Sequence, residues 1–233
     1  MFYRSARAAW HALVPERTRG ELFARKVDRG LTRKLIYGFG LHRSLVDQAC
    51  VDASGAPLPW YTFPMIEFLD QHDFSKARVF ECGSGNSTRY WAQRAKLVVS
   101  VEHDEEWHRR MSTVLAGQTN VEITHAAEPR AYIEHIRTRG RFDVIVIDGE
   151  QRVETARSGM ACREDGGIII LDNADGYTDV AQILREEGGL LQIDFNGFGP
   201  FNSVPWRTSM FMKDRLGFAR LPDGKRRFEE AYL

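Results

Sequence analysis

The 233-residue chain carries 32 Lys and Arg against 32 Asp and Glu, a formal net charge of zero, which excludes a global electrostatic pull toward nucleic acid or anionic lipid. The length suffices for one well-buried domain with an appendage and is short for two full domains. Cys50, Cys82 and Cys162 are odd in number and widely spaced with no Cys-x-x-Cys pair, which excludes a disulfide framework or thiolate zinc site and points to a reducing, cytoplasmic compartment.

At the N-terminus, Phe2, Tyr3, Ala6, Trp10, Leu13 and Val14 can share one face of a short basic helix. That face suits a membrane surface, a partner or the domain itself. Arg4, Arg7 and His11 spoil a signal-peptide core, and no apolar run approaches the roughly 20 residues needed to span a bilayer, so a soluble protein is expected. Up to Arg43, Lys and Arg far outnumber Glu16, Glu21 and Asp28, leaving the rest of the chain net acidic. An anionic surface and an ordinary solvated helical face both fit that excess, so peripheral membrane contact through the N-terminus stays open. Residues 16–45 have helical composition interrupted by Gly20, Gly30, Gly38 and Gly40, which predicts short helices rather than one rod. The run from Asp52 to Pro59 reads as a turn or linker, so residues 1–58 are assigned to a basic helical extension and 59–233 to the domain proper. Pro64 predicts the first turn of a helix reaching about Gln71.

Strands and helices then alternate. Strands are predicted at 78–82, 97–102, 121–125, 142–148 and 167–172, and helices at 86–95, 104–116, 129–138, 152–162 and 177–187. Such alternation demands right-handed crossovers and a parallel sheet covered on both faces. The unbroken apolar runs Val144 to Ile147 and Ile168 to Leu171 fit central strands. Leu191 to Phe195 and Thr208 to Lys213 form an expected antiparallel pair, joined by a loop rich in Gly, Pro and aromatics. That loop, from Phe198 to Trp206, either walls a substrate site or packs as a hairpin. The tail after Asp214, with Lys225, Arg226 and Arg227, reads as a surface extension.

Chemistry concentrates at the first strand's carboxyl end. There Val79-Phe80-Glu81-Cys82-Gly83-Ser84-Gly85-Asn86-Ser87-Thr88 passes from an apolar run through an acid into a Gly-x-Gly turn that opens a helix. Glycines admit a ligand close to the backbone, and Asn86, Ser87 and Thr88 can cap the helix. The second strand ends on Glu102, at the spacing of a carboxylate that accepts both ribose hydroxyls. Thr88 stands where a dinucleotide fingerprint wants a small residue, and Glu81 would repel a pyrophosphate. These residues resemble the class I S-adenosylmethionine-dependent methyltransferases, whose first motif has the form acid-x-Gly-x-Gly. Glu-Cys-Gly-Ser-Gly-Asn-Ser-Thr is similar to the motif of a bacterial subgroup.

The resemblance covers roughly residues 60–213 and implies a Rossmann-like, doubly wound, mostly parallel seven-stranded sheet with the last strand antiparallel between its neighbours. It implies S-adenosylmethionine held by Glu81, Gly83, Ser84, Gly85, Asn86, Ser87, Glu102, His103, Ala127 and Asp148, with Asp148 also facing the methyl group and the acceptor. His125, ending the third strand, can contact the cofactor or pack beside it. Asp148, Asp172 and Asn173 are similar to the metal-binding pattern of catechol-type O-methyltransferases, which implies Mg²⁺; Gln151 departs from it where that family has a Lys. Asp148 lining the methyl pocket and Asp172 orienting a loop is the other reading. Asp148-Gly149-Glu150 lacks the Asn/Asp-Pro-Pro-aromatic motif of amino-directed DNA enzymes, and Cys162 lacks the Pro-Cys setting of cytosine-C5 enzymes. An oxygen nucleophile is therefore expected rather than action on nucleic acid, and the resemblance to bacterial proteins implies a small-molecule or saccharide acceptor for O-methylation. A non-catalytic scaffold docking on a membrane or glycan assembly, and a nucleotide-dependent oxidoreductase, are the alternatives.

Overall fold

In the computed structural model of the chain, residues 14–222 are described. The helices α1 (Glu16–Thr32), α2 (Leu41–Asp47) and α3 (Phe63–Leu69) precede the sheet. Five strands follow, β1 (Arg78–Cys82), β2 (Leu97–Glu102), β3 (Val121–His125), β4 (Phe142–Ile147) and β5 (Arg163–Leu171). Between them run α4 (Asn86–Ala92), α5 (Glu105–Leu115), α6 (Pro129–Thr138) and α7 (Arg152–Cys162), and then α8 (Thr178–Glu186) leads to the hairpin β6 (Leu191–Gly197) and β7 (Trp206–Met212).

Period-two alternation explains why the central strands are apolar throughout. Val79, Val98, Val144, Val146, Ile168 and Ile170 face Tyr61, Phe63, Met65, Ile66, Leu69, Tyr90 and Trp91. Their neighbours Phe80, Val99, Val101, Ile145, Ile147, Ile169 and Leu171 face Tyr132, Ile136, Ala156, Val180 and Leu184 on the other side. Glu81 shares the face of Val79, which places an acid among apolar residues at the end of that layer. The sheet order is β3-β2-β1-β4-β5-β7-β6. Successive strands run outward from β1 in one direction and from β4 in the other, so a crevice opens beyond the carboxyl ends of β1 and β4. β7 lies antiparallel between β5 and β6, pairing Ile170 with Met210 and Ile193 with Met210.

Three differences from expectation have local causes. α1 runs unbroken through Gly20 and Gly30, because a helical glycine costs only about 1 kcal/mol relative to alanine and is not a stop. The break falls at Gly40, after a π-helical turn over Arg33–Gly38. There φ is +85° and a Cβ would lie 2.5 Å from the Val51 carbonyl oxygen, so glycine is required. β5 starts earlier than the apolar run because its first residues pair irregularly with β4, shifting register between Phe142 and Val144. The segment after Asp214 is not a surface extension in its described part: Leu216 and Phe218 pack on the core, with the Phe218 ring 4.4 Å from Phe74. Lys225, Arg226 and Arg227, and the proposed apolar face from Phe2 to Leu13, lie outside the described residues. Among the described residues no helix is long and apolar enough to cross a membrane.

Candidate functional site

A cavity of about 360 Å³ opens at the carboxyl ends of β1, β2 and β4. β1, its loop and the first turn of α4 contribute Glu81, Cys82, Gly83, Ser84 and Ser87; β2 and the start of α5 contribute Glu102, His103, Asp104 and Trp107; β4 and its loop contribute Val146, Asp148 and Gly149. Most of the residues expected for a cofactor are thus brought together. Gly85 and Asn86 sit just outside the lining, Asn86 accepting a 3.0 Å hydrogen bond from Arg89. Ala127 is exposed beyond Ala126, whose N–H donates to the Glu102 carbonyl. His125 bonds to the His103 carbonyl at 3.1 Å, outside the cavity.

The glycine loop is held from below. Gly83 has φ +94°, donates its N–H to Val101 and accepts a 2.7 Å bond from Ser100 Oγ. Gly85 differs, since its φ of 171° is ordinary extended backbone and nothing lies within 4 Å of where its Cβ would be. Only a ligand would demand glycine there. Thr88 is buried and accepts the Gly85 N–H at 2.9 Å, capping α4 from within. The same threonine that argued against a dinucleotide motif is therefore part of the loop's own architecture.

Glu102 is the organising acid. Its Oε2 accepts from Ser84 N–H (3.0 Å) and Ser84 Oγ (2.9 Å), while its Oε1 accepts from the N–H groups of His103 (2.9 Å) and Asp104 (3.0 Å). His103 Nδ1 also approaches Oε1 at 3.1 Å. Trp107 donates its indole N–H to the Ser84 carbonyl at 2.7 Å, pinning the glycine loop to α5. The sequence reading missed Trp107. The available signal was Asp104, which caps α5 by accepting Trp107 N–H and so aims that first turn at the loop.

Acids crowd the cavity floor. Burial raises the Glu81 carboxyl from 4.5 to about 7, against hydrogen bonds from Thr88 and Ser87, and its Oε2 has no partner. Burial likewise raises Asp148 to about 6; Arg152, bonded to its Oδ1 at 3.2 Å, works the other way, and Glu81 adds to the rise. Asp172 is pushed up to about 8 by burial and by Asp148, while its Oδ1 accepts from Trp206 Nε1 and Thr208 Oγ1. Asp172 and Asn173 do not line the cavity.

These residues do not fit Mg²⁺. Arg152 already supplies the positive charge against Asp148, and it spans to the Asp172 carbonyl at 2.7 Å with the Tyr177 ring 3.9 Å away. Asp172 Oδ1 is spent on two donors that hold β7 to β5. Among the described residues no three His, Cys, Asp or Glu side chains are grouped to hold a metal. Arg152 and Tyr177 were not foreseen as site neighbours, because their approach to β4 and β5 depends on how α7 and α8 dock. The aromatic loop divides: Trp206 is buried, whereas Phe198 stays exposed and Phe201 meets the exposed Trp60 edge-on at 5.3 Å.

No protein-family model and no curated protein matches the sequence. Solved structures do share its fold. Precorrin-6y C5,15-methyltransferase from Geobacter metallireducens is 15% identical over 65% of this chain and 87% of its own, with a TM-score of 0.52. Precorrin 8w decarboxylase from Methanobacterium thermoautotrophicum is 16% identical over 71% of this chain and 97% of its own, with a TM-score of 0.50. At such identity the likeness establishes the Rossmann-like, doubly wound fold with its antiparallel last strand.

Proposed function

We propose that the chain is an S-adenosylmethionine-dependent methyltransferase that methylates an oxygen of a small-molecule or saccharide acceptor. One observation carries the reading: Glu102 at the end of β2, bonded directly to Ser84 of the glycine loop after β1, lines with that loop a cavity that also holds the incompletely partnered Glu81. The ligand suited to that arrangement has a diol at one end and positive charge at the other. A pyrophosphate would instead meet Glu81 and Asp148. A methyltransferase of like fold, precorrin-6y C5,15-methyltransferase, supports the same reading.

Each residue then has a task. Glu102, whose Oε2 already accepts two donors from Ser84, would hold the ribose hydroxyls of the cofactor. Glu81 Oε2 is free to receive an ammonium group. Trp107 closes the outer wall and keeps the loop in place. S-adenosylmethionine, when bound, supplies an electrophilic methyl group on a sulfonium. Asp148, bonded to Arg152 through Oδ1, takes the acceptor's hydroxyl proton on its other oxygen, and a carboxyl raised to about 6 suits that work near neutral pH. Trp60, Phe198 and Phe201 offer a platform for a ring or sugar face.

Titration calorimetry with S-adenosylmethionine, S-adenosylhomocysteine and NAD tests this. Binding of the first two without NAD is expected, and failure of both to bind the purified protein overturns it. Asp148→Asn should keep cofactor affinity within a few-fold and lower transfer by about 100-fold or more on any acceptor found by screening. Full transfer by that variant removes Asp148 as the base.

A further inference from the structure

We propose that α1 is an interfacial helix that docks the protein on an anionic lipid surface. None of its 17 residues is buried. Phe23, Val27 and Leu31 recur every four residues, which aligns them on one face, and they are 69%, 40% and 52% exposed. A soluble domain does not ordinarily leave such a row uncovered, since each side chain forgoes the gain of leaving water. Gly20 and Ala24 lie along the same face and let the helix approach a surface closely, with Phe23 as the largest side chain to insert.

Charge decides what covers the face. Residues 16–34 hold seven Lys and Arg against three Asp and Glu, a net of +4 in a chain whose total is zero, so the positive charge is concentrated beside the apolar row. Lys26 borders the row, and a long basic side chain can extend toward headgroups while its stem lies along the apolar surface. A nucleic acid would use the charge and leave the Phe23 row in water. A second copy would bring two +4 segments together at a cost. An anionic bilayer uses both features, each basic residue near the surface adding about 1 kcal/mol.

The test is flotation of the full chain with vesicles of phosphatidylcholine alone or mixed with phosphatidylglycerol. The protein should float with the mixed vesicles and not with the neutral ones, and salt should weaken the association. Phe23→Asp, and Arg25→Glu combined with Lys26→Glu, should each cut partitioning about tenfold or more while leaving the thermal transition and S-adenosylhomocysteine binding as in the parent. Absence of flotation with the anionic vesicles, or flotation indifferent to both variants, overturns the proposal. So does light scattering that finds a dimer converted to monomer by Phe23→Asp, because the apolar row is then covered by a second copy.

Discussion

Replacing Glu81 by Gln should make the ligand-free protein more stable and its cofactor binding weaker. Glu81 is 1% exposed, and burial moves its carboxyl from 4.5 to about 7. A raised carboxyl binds its proton more tightly in the folded state, so its ionisation destabilises the fold progressively between those two values and fully above about 7. At 1.36 kcal/mol per pKa unit the cost above neutrality is about 3 kcal/mol. Gln keeps the shape and an acceptor for Thr88 and Ser87 but has no charge to desolvate. The variant should therefore gain about 2–3 kcal/mol near pH 8, or roughly 4–12 °C in Tm for a chain of this size, and less than about 0.5 kcal/mol near pH 4.5. Circular dichroism melts of both proteins at the two pH values measure the difference. The reasoning is refuted if the Gln variant is the less stable at pH 8, or if its gain is the same at both. Under the proposed function, S-adenosylmethionine affinity should fall by about tenfold or more, since an amide cannot offset the ligand's positive charge.

Gly149→Ala should lower stability by about 1–3 kcal/mol in urea denaturation, because its Cβ would sit 2.9 Å from the Cys82 backbone and collide with Tyr132 Oη; an unchanged midpoint would show that the loop after β4 shifts freely. Gly85→Ala should leave the midpoint within about 0.5 kcal/mol yet weaken S-adenosylhomocysteine binding in calorimetry. Equal affinity would mean that the loop does not approach the ligand. Glu102→Ala should weaken the same binding by roughly 1–3 kcal/mol through lost charge-assisted hydrogen bonds, and unchanged affinity removes Glu102 from the ribose role.

Local pattern was enough for the sheet, because doubly covered strands need unbroken apolar runs and crossover helices need their own period, and both are written in short windows from Val79 to Leu171. The same holds for Glu81, Gly83 and Glu102, whose placement follows from where a strand stops and a helix begins. Other features depend on residues far apart in the chain. Gly40 breaks the helical run before α2 with Val51 close beside it, and Phe218 is partly buried because Phe74 offers a surface. Trp107 reaches the Ser84 carbonyl across 23 positions, and Arg152 ties Asp148 to Asp172 after α7 has docked. The resemblance implies a metal at Asp148, Asp172 and Asn173, but the tertiary structure places a guanidinium against the first carboxylate and two β7 donors on the second. Spacing along the chain specifies which groups arrive at the carboxyl ends of the strands; which of them remain free for a ligand depends on partners that no sequence window contains.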